Sequence, residues 1–349
     1  MDGNRNQKRL GLAVALVLAA TSAEAGTASK LLFSGCGGLC LLDPDNVEAG
    51  PAPFLSPDHI DQFARDFAGC FQHAWSPDGD RVVFVTATGL PPNSDIWSVR
   101  SDGTDLRQLV RQRRKCEVSG SWRTEDERYD LCLPSFEYGI SWSPDGSEIV
   151  FLDYVTVSFL KPEDEIQEEP SDYVDVFMFA RHTGTLQESA HSVDWAPNGR
   201  IYFCSGAWDN LEIWSASRDG TDSQFVRKGC YPEVSPDGTM ISFRSPDGPE
   251  VSSLFVMDID GSNPRYVSKG VLSSWSPDSK RLAVIEYMGE GIGGSGLIKL
   301  INADGTNPVV VHEFAREDFV DDVDWSPWLD TPSRVSPVSW GHLKQDLDP

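Results

Sequence analysis

The sequence predicts an all-β protein, a six-bladed β-propeller of four-stranded antiparallel blades, and three observations carry this prediction. A Trp-Ser-Pro-Asp-Gly turn or a degraded copy of it recurs, a second turn follows each copy, and strand-like apolar runs lie between the turns. The copies begin at residues 75, 142, 195, 234, 275 and 325. Units of roughly 40 residues with four short strands are typical of propeller blades.

The residues of the first turn explain its shape. Proline sets φ at the first corner, aspartate accepts hydrogen bonds from local backbone N–H groups, and glycine adopts the positive φ that closes the hairpin. A Trp just before the turn ends an innermost strand and fills the space between packed sheets. The copies are Trp75-Ser-Pro-Asp78-Gly79, Trp142-Ser-Pro-Asp145-Gly146, Trp195-Ala-Pro-Asn198-Gly199, Val234-Ser-Pro-Asp237-Gly238, Trp275-Ser-Pro-Asp278-Ser279 and Trp325-Ser-Pro-Trp328.

The apolar runs between the turns predict the second and third strands of each blade. Second strands are expected to begin at Arg81, Glu148, Arg200, Met240 and Arg281. Third strands are expected to begin at Ile96, Val176, Ile213, Leu254 and Ile298. An Asp-Gly or Thr-Gly turn follows each third strand, and a short fourth strand such as the one at Leu106 or Arg265 ends the unit.

The sixth copy lies close to the C-terminus, so its remaining strands are expected at the other end of the chain. Residues 30–35 match a second strand and residues 39–42 match a third strand. The last blade should therefore combine an inner strand from residues 320–325 with strands from residues 30–56. This closure leaves no free sheet edge around the ring.

The first 25 residues have the layout of a secretory signal peptide. Arg5, Lys8 and Arg9 precede an apolar run over residues 10–20, and Ala23-Glu24-Ala25 forms a small-x-small cleavage site. A short N-terminal membrane anchor is the alternative interpretation. We expect a secreted or periplasmic protein with no stable membrane insertion after removal of the signal. The predicted division is 1–25 signal peptide, 26–340 propeller and 341–349 C-terminal tail.

The net charge of -25 argues against a nucleic-acid partner, because phosphate binding needs a basic surface. Two segments concentrate this charge. Residues 153–175 hold eight acidic residues and one Lys, which gives -7, and residues 312–324 hold six acidic residues and one Arg, which gives -5. They are interpreted either as solvated loops that maintain solubility or as segments that attract a basic partner or a divalent cation.

Seven cysteines in an exported chain make disulfides possible. Their positions around the predicted strands suggest three pairs, Cys36–Cys70, Cys116–Cys132 and Cys204–Cys230. Cys40 is then expected to be the unpaired cysteine, buried as an apolar residue in a strand.

The Trp-Ser-Pro-Asp-Gly hairpin with its downstream Asp-Gly-Thr/Ser turn resembles the TolB-type, WD40-like (PD40 repeat) propeller family. The resemblance covers nearly all of the chain after the leader. It implies an extracytoplasmic propeller used for protein–protein contacts. TolB itself carries an additional N-terminal α/β domain, and we expect no counterpart of that domain in this sequence.

Long insertions are expected on one face of the ring, here called the loop-rich face. They span residues 86–95, 111–139, 153–175, 286–296 and 311–320. Long loops on a rigid scaffold are where binding usually occurs. We therefore expect a monomeric, non-enzymatic scaffold that captures a protein partner through aromatic residues of this face, namely Trp122, Phe136, Tyr138, Phe159 and Trp208.

Catalytic signals are weak. A G-x-S-x-G nucleophile elbow is absent, and residues 289–294 fit G-x-G-x-x-G without a following helix. Polar residues of the inner strands could nevertheless form an axial ligand or calcium site, which would suit a lyase- or hydrolase-type enzyme. The same side chains could instead bond backbone groups of neighbouring blades. The candidates are His73, His191, Asp194, Glu233, Asp322 and Asp324.

Overall fold

The computed structural model describes residues 29–35, 38–55, 67–88, 93–111, 121–123, 128–130, 139–153, 156–160, 190–206, 210–250, 252–288, 294–318 and 320–327. For residues 67–71, 87–88, 93–94, 111, 121–123, 128–130, 153, 156–160, 190 and 317 it describes the backbone alone. Within this part of the chain, no helix is long and apolar enough to cross a membrane.

Five sheets have four antiparallel strands each, in the order that the repeats predict. Four of them are formed by consecutive strands. The first contains β4 (Phe67–Trp75), β5 (Arg81–Thr88), β6 (Asn93–Arg100) and β7 (Arg107–Arg111). The second contains β13 (Ala190–Trp195), β14 (Ile201–Ser205), β15 (Glu212–Ala216) and β16 (Gln224–Lys228).

The next two sheets repeat this arrangement along the chain. One contains β17 (Cys230–Val234), β18 (Met240–Ser245), β19 (Ser253–Asp258) and β20 (Arg265–Lys269). The other contains β21 (Leu272–Trp275), β22 (Arg281–Tyr287), β23 (Gly296–Asn302) and β24 (Val309–Phe314).

The fifth four-stranded sheet joins the two ends of the described chain, as predicted. Its order is β25, β1, β2, β3, and its inner strand comes from the C-terminal side. Leu31 pairs with Trp325, and Ser326 N–H donates to the carbonyl of Lys30 at 2.8 Å. The strands are β1 (Leu31–Gly35), β2 (Gly38–Leu42), β3 (Ala52–Leu55) and β25 (Val323–Trp325), with short 3-10 helices at Val47–Ala49 and Arg316–Asp318.

The remaining repeat forms a sheet with three described strands. Six four-stranded blades were expected, and the described residues contain five. Its strands are β10 (Ile140–Trp142), β11 (Ile149–Asp153) and β12 (Thr156–Leu160). The third strand was predicted to begin at Val176, which lies outside the described residues. Instead, β12 follows β11 after two residues, inside the segment predicted to be a loop. The alternating, β-branched pattern of residues 156–160 suits a strand.

The predicted insertion at residues 111–139 also contains regular structure. Two short strands, β8 (Ser121–Arg123) and β9 (Arg128–Asp130), pair as an antiparallel hairpin in which Trp122 lies opposite Tyr129.

Apolar clusters join each of these six sheets to two neighbours. The three-stranded sheet packs on one side against β5 and β6, where Phe151 meets Val83 and Ile96. On its other side Val150 packs against Val193 and Phe203. The closing sheet likewise shares clusters with the β4–β7 sheet and the β21–β24 sheet. The sheets therefore form a closed ring, and burial of these apolar surfaces stabilises it.

The serine of the first turn has a structural role that the sequence analysis did not assign. Its hydroxyl donates to the aspartate two residues later and accepts from the backbone N–H five residues later. At Ser143 these bonds reach Asp145 Oδ1 at 2.7 Å and Glu148 N at 2.9 Å. Gly146 has φ 70°, which favours glycine. The same two hydrogen bonds recur at Ser76, Ser235 and Ser276.

The predicted Cys204–Cys230 disulfide is present and links β14 to the first strand of the next sheet, with Cα atoms 5.0 Å apart. The expectation that Cys40 is unpaired is wrong, because Cys40 is disulfide-bonded. The side chains of Cys36, Cys70, Cys116 and Cys132 lie outside the described part. Since Cys40 must take its partner from these four, at least one of the predicted pairs Cys36–Cys70 and Cys116–Cys132 cannot form.

Candidate functional site

The innermost strands of the six sheets enclose an axial channel with a cavity of about 510 Å³. Residues of β4, β10, β13, β17, β21 and β25 line it, together with the proline of each first turn. The prolines are Pro77, Pro144, Pro197, Pro236, Pro277 and Pro327. Since every inner strand runs into its first turn, these prolines mark one end of the channel.

The residue just before the last position of each inner strand forms what we call the acceptor belt. In five of six cases its side chain accepts a hydrogen bond from a backbone N–H of the next inner strand around the ring. These bonds run from Trp75 to Asp324 (2.7 Å), Trp195 to Ser141 (3.2 Å), Val234 to Asp194 (2.8 Å), Trp275 to Glu233 (3.3 Å) and Trp325 to Ser274 (2.9 Å).

The sixth belt position is Ala74, which has no side-chain acceptor. The neighbouring contact is made two residues earlier, where Gln72 Oε1 accepts from the backbone N–H of Gly139 at 2.7 Å. Asp322 extends the belt in the same direction, because its Oδ2 accepts from the backbone N–H of His73 at 3.1 Å. The polar side chains therefore connect neighbouring blades at several levels of the channel.

The two belt serines also orient the carboxylates beside them. Ser141 Oγ donates to Asp194 Oδ1 at 3.0 Å, and Ser274 Oγ donates to Asp324 Oδ1 at 3.1 Å. Each of these aspartates thus accepts one bond from a hydroxyl and one from a backbone N–H. Such paired acceptance stabilises the geometry of the belt.

The channel is strongly acidic and its electrostatics are unusual. Desolvation inside the ring raises the pKa of Asp194 and raises the pKa of Asp324 to about 7. Desolvation followed by the charges of Asp194 and Asp324 raises the pKa of Glu233 well above its usual range. Desolvation likewise raises the pKa of Asp322 well above its usual range. None of the described lining residues is Lys or Arg.

His73 is the remaining titratable candidate that lines the channel. Its side chain is buried, and burial lowers its pKa to about 3, so the imidazole is neutral at physiological pH. Neither ring nitrogen has a hydrogen-bond partner among the described residues. The Nδ1 atom lies 3.7 Å from Asp322 Oδ2, beyond hydrogen-bond distance.

His191, by contrast, is not brought into the site. It is absent from the channel lining, and its Nε2 lies 3.0 Å from the carbonyl oxygen of Gly206. A β-bulge between Ala190 and Ser192 interrupts the regular alternation of side chains at this point of β13.

The described residues contain no group of three or more His, Cys, Asp or Glu side chains that could hold a metal ion. The carboxylates of the belt are spread around the ring and engaged by N–H and O–H donors. This distribution suits inter-blade bonding, which was one of the two interpretations of the axial residues.

The aromatic candidates of the loop-rich face stay predictions. Trp122 lies in β8 and Phe159 lies in β12, where it pairs with Val150, but only their backbones are described. Phe136, Tyr138 and Trp208 lie outside the described residues.

Sequence reasoning located most of the belt but missed some of its members. Asp194, Glu233 and Asp324 were identified from their position before the motif Trp or Val. Ser141 and Ser274 also stand directly before a motif Trp, and this position is the signal that could have identified them as acceptors. Gln72 carried no such signal, since its bond to Gly139 depends on how two blades are placed.

No family model matches this chain. An uncharacterised protein of Agrobacterium fabrum is 27% identical over 180 residues, which cover 44% of this chain and 56% of that protein. The chain thus matches little more than half the length of this curated relative.

Solved structures show the fold. TolB from Acinetobacter baumannii aligns with a TM-score of 0.58 at 13% identity, over 86% of this chain and 67% of that one. A protein assigned as TolB from Agrobacterium tumefaciens aligns with a TM-score of 0.54 at 13% identity, over 86% of this chain and 99% of that one. A chain of a nidogen/laminin complex aligns with a TM-score of 0.58 at 12% identity, over 85% of this chain and 98% of that one. The chain is therefore an all-β propeller with a TolB-like fold.

Proposed function

We propose that this chain is an exported, non-enzymatic propeller of the cell envelope that serves as a protein-binding scaffold. The observation that carries the proposal is the acceptor belt. Asp194, Glu233 and Asp324 each accept a hydrogen bond from a neighbouring blade, so these axial carboxylates support the ring. A rigid ring of this kind is a suitable platform for variable loops.

Two features support an envelope or extracellular location. The first 25 residues have the layout of a secretory signal. The Cys204–Cys230 disulfide requires an oxidising compartment to persist. The TolB-like fold agrees with this location. In this proposal the three-stranded sheet completes the ring as the sixth blade.

The competing function, an enzyme acting in the channel, needs a carboxylate that is free to react. Each belt carboxylate instead has a structural partner, and Asp322 accepts from His73 N–H. Partner recognition is assigned to the loop-rich face, where Trp122 belongs to a β-hairpin that the four-stranded repeat does not require. The acidic residues at 163–169 follow β12 along the chain, and we propose that their charge complements a basic partner surface.

Crosslinking pull-down from an envelope extract tests this proposal. The variant carries Glu→Gln and Asp→Asn changes at Glu163, Asp164, Glu165, Glu168 and Glu169, which leaves β12 unaltered. We expect it to lose a partner that the parent chain captures reproducibly, because the long-range attraction is removed.

The matched control neutralises five exposed carboxylates elsewhere, at Asp45, Glu48, Asp80, Asp247 and Glu250. It should retain the partner. Equal capture by both variants would reject the acidic loop as the recognition element, and retained capture by a Trp122→Ala variant would reject the aromatic one.

A further inference from the structure

We propose that the outer edge of β24 (Val309–Phe314) is a docking site for an extended, lysine-bearing segment of a partner protein, which pairs with it as an additional strand. This surface is separate from the loop-rich face, so the inference goes beyond the scaffold function proposed above. β24 is the outermost strand of its sheet, and no described residue pairs with its free side. An unpaired strand edge presents backbone N–H and C=O groups that an incoming strand can satisfy.

The outer strands of the other four-stranded sheets carry residues that discourage such pairing. A β-bulge interrupts the ladder between the third strand and the outer strand in all five of these sheets. Proline and basic side chains on an edge protect it further against association with another strand. These residues are Pro53 in β3, Arg107 and Arg111 in β7, Arg227 and Lys228 in β16, and Arg265 and Lys269 in β20. β24 contains no proline, lysine or arginine, so its edge lacks this protection.

Two valines make the edge of β24 apolar as well as unpaired. Val309 is 56% exposed and Val310 is 49% exposed, and within the described part of the chain they are the one pair of consecutive large apolar residues that are both exposed. Successive side chains of a strand point to opposite faces of the sheet, so an added strand would find an apolar contact on each face. Burial of the two valines would favour association.

The edge is held in place before any partner arrives. Val311 and Phe314 are buried in a cluster with Tyr287, and the rings of Tyr287 and Phe314 pack edge to face with centroids 6.0 Å apart. The ring of His312 lies 5.2 Å from that of Phe33 in the closing sheet. Because β24 is already ordered, a docking segment pays only for its own ordering.

Charge determines the kind of segment that fits. Glu313 is exposed near the C-terminal end of β24, and it belongs to the acidic segment of residues 312–324, which carries -5 of the chain's net charge of -25. A second copy of the chain would bring the same charge to this edge and would be repelled, whereas a cationic segment would be attracted. A flexible segment can also follow the bend that the bulge at Val311 introduces.

A probe peptide and the full chain test the site. The probe is acetyl-Lys-Lys-Val-Thr-Val-Thr-Val-amide, which alternates as a strand does and carries its charge at one end. We expect saturable binding in fluorescence anisotropy with a labelled peptide. Hydrogen exchange should slow at the backbone amides of residues 309–314 and stay unchanged in β7, β16 and β20.

Two control peptides separate backbone pairing from charge. N-methylation of the three valines and two threonines removes the N–H donors but keeps the side chains and the charge, and it should abolish binding. Replacement of the two lysines by glutamates keeps the strand pattern and should weaken binding by about tenfold, since attraction to the acidic segment becomes repulsion.

Variants of the chain complete the test. Val310→Lys introduces the kind of side chain that protects the other edges, and it should weaken peptide binding by about tenfold or more. The residue is exposed, so the fold should be kept. Gln224→Lys adds the same charge at an exposed position of β16 and should leave binding unchanged. Glu313→Gln should reduce the advantage of the lysine peptide over the glutamate peptide.

The proposal is overturned if the lysine peptide does not bind saturably, if the N-methylated peptide binds equally well, or if Val310→Lys binds as the parent chain does. Two further results would assign the edge to another occupant and so overturn it. A dimer in sedimentation velocity that Val310→Lys dissociates would identify a second copy. Slow exchange of every amide of residues 309–314 in the monomer without peptide would identify a segment of this chain.

Discussion

Aspartates lie in the turns of the repeats and in the axial channel. They accept similar hydrogen bonds in both regions, yet their pKa values differ. Asp145 accepts from Ser143 and Ser147 at the surface, and these bonds lower its pKa to about 2. Asp324 accepts from Trp75 N–H and Ser274, and its pKa is raised to about 7. Desolvation makes the difference, because it opposes the charged form whatever bonds that form accepts. One residue type therefore stabilises a turn in water and creates electrostatic strain inside the ring.

Replacing Asp324 by Leu should give the largest effect on this comparison. The substitution leaves the Trp75 N–H and the Ser274 hydroxyl without their acceptor, and we expect a loss of about 3 kcal/mol in the free energy of unfolding. Urea unfolding measures it. Asp324→Asn keeps an oxygen acceptor and should lose less than half as much; equal losses would show that the belt bonds are not what matters.

The pH dependence of stability should separate the two regions. The folded-state pKa of Asp324 is above its ordinary value, so the folded chain holds this proton more tightly and its contribution to stability decreases as pH rises from about 4 to 7. Asp145, with its lowered pKa, contributes stability that is lost as pH falls from about 4 towards 2.

The measurement compares unfolding of the parent chain and Asp324→Asn at pH 4.5 and pH 8. The variant should show a shallower loss of stability on going to pH 8, since it lacks the titrating group. Parallel curves would mean that the Asp324 carboxyl does not titrate between these values.

The same substitution in the two regions sharpens the comparison further. Ser274→Ala removes the acceptor of the Trp325 N–H inside the ring, and we expect a loss of about 2 kcal/mol. Ser143→Ala removes the acceptor of the Glu148 N–H in a surface turn. Ser143 itself is buried, but the adjoining Pro144 and Asp145 are exposed, and the expected loss is about 1 kcal/mol. Thermal unfolding of both variants checks the order, and a larger loss at Ser143 would contradict the comparison.

The smallest expected effect comes from completing the belt. Ala74 is the one belt position without a side-chain acceptor, and Ala74→Ser introduces a hydroxyl at the place where Ser141 and Ser274 accept from the next strand. A gain of up to about 1 kcal/mol is expected if the hydroxyl reaches the Trp142 N–H. Ala74→Val, which adds bulk without an acceptor, is the control and should give no gain in urea unfolding.

Much of the ring could be predicted because each repeat carries its own local signals. Proline and glycine set the turns, and apolar runs mark the strands, so β5, β14, β18 and β22 all begin at or within one residue of the expected positions. The third strand at Thr156 was missed because two apolar runs competed for one place. Local pattern does not decide which of them pairs with β11.

The sequence by itself determined the repeat, the turn chemistry and the joining of the two ends of the chain in one sheet. These features depend on short-range backbone preferences and on hydrophobic period, which are readable from neighbouring residues. Only the tertiary structure decided that Gln72 bonds Gly139, that His191 lies against the Gly206 carbonyl and not in the channel lining, and that Cys40 is bridged. Such contacts depend on the relative placement of blades, which long-range packing controls. The acidity of the channel has the same origin, because desolvation exists only once the ring has closed.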